Sequence, residues 1–205
     1  MQIFLTTANI DEIEALLSLG VIDGVIASTH DLHGDTREDR DIDAKQLARR
    51  IAPRHLHIEI PSDERDKMVW QARRLRCIAY NIVPMVGAQD HESLRSSLEV
   101  VRFLEDENIP VNCTICDSFG EAVLAVKAGA SYISLYGRRM NNGRRQALIQ
   151  KVRQWLDLWG YTAKIVVQGI RDADEMEQAS LAGAHILALS PQAVTRLLEV
   201  PMHYE

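Results

Sequence analysis

Short apolar runs alternate with longer stretches whose apolar positions recur every three or four residues, and the alternation persists from one end of the chain to the other. The short runs predict strands at Gln2–Thr6, Val21–Ala27, His55–Ile60, Ala79–Val86, Val111–Thr114, Tyr132–Tyr136, Lys164–Gln168 and His185–Leu189. The longer stretches predict helices with readable ends. Asn9 precedes Ile10–Leu19, with Asp11 and Glu12 in the first turn and Gly20 behind it. Asp41 or Asp43 is placed to cap a helix running to about Ile51, Pro61-Ser62 to start the next, and His91-Glu92 to open Ser93–Glu105. Asp117 or Ser118 caps Glu121–Ala128, Gln146–Gly160 and Asp172–Gly183 follow, and Pro191-Gln192 starts the last helix. Eight such units with little loop between them favour a closed parallel barrel over an open sheet, because each parallel crossover needs a helix packed outside. The expectation is α/β: a single (β/α)8 TIM barrel over residues 1–205, with no linker or low-complexity segment.

Composition narrows the function classes. Of 205 residues, 46% are hydrophobic and 25% charged, which suits a globular domain with a sizeable core rather than a disordered chain. The net charge of -6 argues against nucleic acid and against an anionic membrane surface, and an anionic metabolite would need a local cationic pocket. The opening MQIFLTTAN is too short and polar for a signal peptide, and no apolar run approaches the roughly 20 residues of a membrane span. A cytoplasmic protein is expected. Three cysteines do not make a disulfide framework, which agrees with a reducing compartment.

The run Tyr80–Gly87, YNIVPMVG, would as a strand put Asn81, Val83 and Met85 on one face and Tyr80, Ile82 and Pro84 on the other. It resembles the fourth strand of the transaldolase and fructose 6-phosphate aldolase family, where a (D/N)-I-(V/M)-x-K-(V/L) pattern carries the lysine that forms a Schiff base with the ketose. The lysine position reads Met85 here, and a thioether cannot condense with a carbonyl. The resemblance covers nearly the whole chain. FLTTANIDEIEAL is similar to the family's first strand and helix, with Thr6 where a carboxylate usually handles protons. The family's T-(T/S)-N-P reads Ala27-Ser28-Thr29-His30, a hydroxyl in place of a carboxamide. Glu59 stands where members carry glutamate or glutamine, and Thr114 and Tyr136 match positions that hold the catalytic water or the substrate. Arg139, in YGRRMNNG, resembles the arginine that pairs with substrate phosphate, and Gly169 falls where a serine assists. Lys164 through Gly183-Ala184 and on to Pro201 follow the family's last two units.

With the strand phase that the resemblance supplies, Thr6, Ser28, Glu59, Met85, Thr114, Tyr136 and Gln168 line the upper barrel, where sites lie in this fold. His57, Asn81, Asn112 and Ser134 are expected in the layers beneath, a polar set for a barrel core. Glu59, Tyr136 and Thr114 are the candidate catalytic groups, and burial of Glu59 near Tyr136 and Met85 would suit it to proton transfer. Its alternative is a carboxylate satisfied by His57, Thr6 or Thr29. Thr6, Ser28, Met85 and Gln168 are candidate substrate contacts. Arg139 and Arg171, beside Gly169, are candidate phosphate ligands, with Asp172 as a local partner that would occupy them instead. Arg144 and Arg145 read as solvated.

His30 and His33 opposite Glu59 raise a metal site, but no third ligand is fixed by spacing, so neither metal nor cofactor is expected. Cys113-Thr114-Ile115-Cys116 on a strand points its two thiols to opposite faces, which reads as buried thiols rather than a redox pair. Trp70, Trp155 and Trp159 are expected to pack on helix faces.

Three functions are open. One is a divergent enzyme acting on a small ketose, aldehyde or sugar phosphate by enolisation or acid–base catalysis without the lysine. Another is a catalytically silent homologue that binds a metabolite or a partner protein; a metal-dependent aldolase on His30 and His33 is a third. The chain ends at Glu205, without the further C-terminal helix by which family members grip a neighbour, so a homo-oligomer stays open.

Overall fold

All eight apolar runs become parallel strands: β1 (Gln2–Thr6), β2 (Gly24–Ala27), β3 (His55–Glu59), β4 (Ile82–Val86), β5 (Asn112–Cys113), β6 (Tyr132–Tyr136), β7 (Lys164–Ile170) and β8 (Ile186–Leu189). β1 pairs with both β2 and β8, so the sheet closes on itself. A helix follows each strand: α1 (Ile10–Leu17), α2 (Arg37–Ile51), α3 (Arg65–Ile78), α4 (His91–Asp106), α5 (Phe119–Lys127), α6 (Asn142–Trp159), α7 (Ala173–Leu181) and α8 (Pro191–Leu198). The chain is a (β/α)8 barrel, as its periodicity predicts. This computed structural model describes residues 1–28, 31–32, 36–87, 91–114, 117–136 and 142–199, without the side chains of residues 37, 91–93, 136 and 142.

Local chemistry explains most helix starts. Asn9 accepts the N–H groups of Asp11 and Glu12, Ser118 that of Glu121, Asp172 that of Glu175 and Ser190 that of Ala193. Three starts differ from expectation, and the plainest is α6, which opens at Asn142 rather than at Gln146. α2 begins five or more residues early because Thr36 and Asp39 form a reciprocal capping box, Oγ1 of Thr36 accepting from Asp39 N and the Asp39 carboxylate from Thr36 N. α3 begins at Arg65 rather than at Pro61-Ser62, which leaves residues 61–64 as a linker at the barrel mouth.

The apolar mass lies in two shells. The larger packs strands against helices, around Leu5, Val25, Leu56, Ile82, Val86, Ile133 and Val167. Cys113 belongs to it, as expected for a structural thiol, while Cys116 lies outside the described residues. The smaller fills the barrel itself, with Phe4, Ile26, Val83, Met85, Tyr132, Val166, Ile186 and Ala188. Gly24 is required there, because a Cβ would stand 2.6 Å from the Phe4 ring. Trp155 stacks on Tyr161 at 4.7 Å, but Trp159 is 67% exposed and Trp70 46%, so the expectation that all three pack fails for two.

A polar thread crosses the barrel beneath Met85. Ser134 Oγ donates to Asn112 Oδ1 at 2.9 Å, and the Asn112 amide nitrogen lies 3.1 Å from His57 Nδ1. All three side chains are fully buried, and the Phe4 and Tyr132 rings meet the imidazole edge to face. Burial pushes the His57 imidazole down to about 3, with His55 and Lys164 adding to the effect, so the ring is neutral. Its Nδ1 then accepts from Asn112 and its Nε2 carries the proton, without a partner among the described residues. Asn81 does not join this thread. β4 starts one residue later, and the Asn81 amide instead donates to the carbonyls of Ala48 and Arg54, pinning the end of α2 beneath the barrel.

Candidate functional site

The C-terminal ends of the strands surround a cavity of ≈ 540 Å³. Strand parity brings Thr6 (β1), Ser28 just past β2, Glu59 (β3), Met85 (β4), Thr114 just past β5 and Gln168 (β7) into its wall. Six of the seven residues expected in the upper barrel therefore meet in one cavity. The seventh, Tyr136, pairs with Gln168 across the sheet, and its side chain lies outside the described residues.

Each wall has a local cause. Thr114 Oγ1 donates to the Val86 carbonyl at 3.1 Å, beside the Thr114 N–H on the same oxygen at 2.8 Å. That hydroxyl has spent its proton, so toward a ligand it acts as an acceptor. Gly87 makes room for it, since a Cβ there would lie 2.6 Å from the same oxygen. Ser28 is fixed by Asp31, whose carboxylate accepts the Ser28 N–H at 3.3 Å while its own N–H donates to the Ser28 carbonyl at 3.0 Å. Met85 is 3% exposed and packs with the barrel interior below the cavity floor.

Glu59 departs from expectation. It faces inward by parity but is the last residue of β3, and its side chain is exposed at the mouth rather than buried against Met85. Its expected alternative partners His57 and Thr6 form no hydrogen bond with it, and Thr29 lies outside the described residues. Asp31 and Asp63 stand at the same mouth, so three carboxylates and no basic side chain appear among the described lining residues. Neither aspartate stands out in the sequence.

The arginines expected to hold phosphate divide differently. Arg139 lies outside the described residues. Arg171 does not line the cavity; its side chain is 72% exposed and bonds Glu175 on α7, not Asp172. Arg145, expected in solvent, is buried and lies 3.6 Å from the same carboxylate. Burial pushes the Glu175 carboxyl up, but the hydrogen bonds from the Arg171 side chain and backbone, with Arg145 beside it, hold it below its ordinary value. Glu175 thus ties α6 and the end of β7 together beside Gly169, whose φ of +75° accommodates the register shift between Gln168 and Ile170. Replacing it by Gln should destabilise the fold by about 2 kcal/mol in urea unfolding, because a buried carboxylate that serves both Arg145 and Arg171 is lost. The signal available in the sequence was the four-residue spacing of Arg171 and Glu175 across the start of α7.

Among the described residues no group of three His, Cys, Asp or Glu side chains is placed to hold a metal, and His30 and His33 lie outside them. No described helix is long and apolar enough to cross a membrane.

The family model for transaldolase/fructose-6-phosphate aldolase matches residues 39–203. The chain belongs to this family. Its transaldolase-family relatives include a protein of Jannaschia sp. described as a probable transaldolase, 33% identical over 95% of this chain and 87% of the relative. A second, from Lactiplantibacillus plantarum and described in the same words, is 30% identical over 98% and 91%. Among solved structures, FabK from Thermotoga maritima superposes with a TM-score of 0.62 at 17% identity, over 94% of this chain and 59% of that longer one, a likeness of fold alone.

All five lysines of this transaldolase-family chain are described. Lys45, Lys67, Lys127 and Lys151 are exposed on helices, and Lys164 opens β7 at the opposite end of the barrel, with Nζ 3.3 Å from Gln2 Oε1. None lines the cavity that Met85 floors.

Proposed function

We propose that the barrel-mouth cavity binds a small polyhydroxylated carbonyl compound, a ketose, aldehyde or sugar phosphate, and that any turnover proceeds without a lysine Schiff base. The observation that carries this reading is the cavity wall itself: hydroxyls of Thr6, Ser28 and Thr114, the Gln168 amide and the Glu59 carboxylate around the Met85 thioether. Such a ring of acceptors and donors matches several hydroxyls on one compact ligand. Of the three carboxylates at the mouth, Glu59, the one carried on a barrel strand, is the proposed base for the carbon beside the carbonyl, and Tyr136 is the proposed donor to the enolate oxygen. Enolisation needs only that pair, whereas carbon–carbon cleavage by the family's route needs an amine. Arg139, by its match to the family's arginine, remains the proposed phosphate ligand, whereas Arg171 is held by Glu175 outside the cavity.

Dihydroxyacetone and a series of sugar phosphates should raise the melting temperature, and Thr114→Val should weaken the best of them about five-fold by removing one acceptor. Deuterium exchange into the ligand in heavy water, followed by NMR, reads enolisation directly. Binding with exchange supports the enzyme reading. Binding without exchange identifies a silent metabolite-binding homologue, a role that the exposure of Glu59 favours. No stabilisation by any ligand of this class would sink both.

A further inference from the structure

α6 turns Ile149, Val152 and Leu156 inward against the barrel, and Trp155, Leu158 and Trp159 fall three and four residues apart outside that inner face. The chain reverses at Gly160 and lays Tyr161 on Trp155 at 4.7 Å, while Phe119 of α5 meets the same indole edge to face at 6.3 Å. Trp155 is thus held and half-buried. Around it Phe119, Leu124, Leu158 and Trp159 stay exposed, Leu158 by 78% and Leu124 by 51%. With roughly 200 Å² for an aromatic residue and somewhat less for a leucine, their exposed parts come to on the order of 500 Å². That is near the upper end of what a monomer leaves in water as one apolar patch.

A stable two-fold contact covers about 800 Å² on each copy, roughly two-thirds of it apolar, so a second copy of this face would match the patch in area. The charge beside the patch suits a second copy as well. Lys151, exposed one turn before Trp155, has no carboxylate partner among the described residues. We propose that α5 and α6 form a homodimer face, on which a second copy of this chain docks with its α6 antiparallel, about a two-fold axis at Trp155. The residue four before that axis then meets the one four after it, so Lys151 of each copy lies over the Trp159 indole of the other. Each copy supplies both halves of that pair, and Leu124 and Leu158 leave water in the same contact.

Sedimentation of the whole chain between about 2 and 200 μM should show monomers giving way to dimers, with a Kd on the order of 10 μM. On dilution the indole N–H resonance of Trp159 should move and that of Trp70, on α3, should stay in place. Leu158→Glu carries a carboxylate into the contact and should weaken association at least about thirty-fold. Leu158 is no part of the core, so this variant should fold as the parent does; Trp159→Ala repeats the test without introducing a charge. Lys151→Glu should weaken the dimer about three- to ten-fold and Lys151→Arg should not, because only a cation is attracted to the indole face. Leu181→Glu makes the same change on an equally exposed leucine of α7 and should leave the dimer intact. A chain that stays monomeric throughout, or an assembly whose mass neither Leu158→Glu nor Trp159→Ala reduces, overturns the proposal. A dimer that Leu181→Glu takes apart instead would put the contact on α7, and full affinity in Lys151→Glu would remove the two-fold docking at Trp155.

Discussion

Between pH 7 and pH 4.5 the folded protein is expected to lose about 2.5 kcal/mol of stability through His57 alone. The folded state holds this imidazole neutral down to about 3, first by burial and then by the nearby His55 and Lys164. The unfolded chain protonates the same ring near its ordinary value of 6.5. Below that value the unfolded state binds the extra proton and the folded state does not, so stability falls as pH falls and recovers as pH rises through the same window. The figure depends only on the folded value lying well below 4.5. His55 and His185, also held down chiefly by burial, push in the same direction, whereas Glu175 loses its contribution only below its ordinary carboxylate range. Urea unfolding at several pH values checks this, with His57→Gln expected to flatten most of the slope above pH 4.5. An unchanged slope in that variant would mean that the thread from Ser134 through Asn112 leaves His57 able to take a proton.

That thread shows how much of the fold was legible and where legibility stopped. Parity along the strands is a local property, and with its phase set by the family resemblance it placed His57, Asn112 and Ser134 inside the barrel and Thr6, Ser28, Met85, Thr114 and Gln168 in one cavity. It failed for Asn81 because it counts from a strand start. β4 begins at Ile82, and one residue outside the pleat a side chain is free to turn toward Ala48 and Arg54. Parity also gives direction and not depth, which is why Glu59 points inward yet stands at the open mouth. The start of α2 was hidden for a different reason. Its first seven residues, REDRDID, carry no helical stripe, so only the Thr36–Asp39 box marks them, while the apolar period becomes visible at Ala44 and Leu47. Arg145 and Glu175 could not be paired from sequence at all, since thirty residues and a strand separate them and each looks solvated on its own helix. The α2 start and the depth of Glu59 apart, the features that sequence missed are contacts between units.

Met85→Lys is expected to turn a chain that forms no covalent adduct with dihydroxyacetone into one that traps a single adduct per molecule on borohydride reduction. Methionine and lysine are both unbranched, so the lysine chain follows the thioether's path up from Val83, Ile26 and Ala188 and carries its amine into the space lined by Thr6, Ser28 and Thr114. Burial disfavours the ammonium form, which leaves a usable fraction of neutral amine near pH 8. That amine adds to the ketone, the carbinolamine loses water to give the imine, and borohydride reduces it to a stable secondary amine that mass spectrometry locates. The parent chain offers no such amine in the cavity. Four of its lysines are exposed on helices, and Lys164 sits beneath the barrel on Gln2, separated from the mouth by the Phe4, Tyr132 and Met85 layer. An adduct on Lys164 of the parent, lost in Lys164→Arg, would restore an amine-based route and remove the case for enolisation. A folded Met85→Lys that binds dihydroxyacetone but traps nothing would show that the wall has diverged beyond the lysine alone, with Thr6 unable to shuttle the proton that dehydration of the carbinolamine needs.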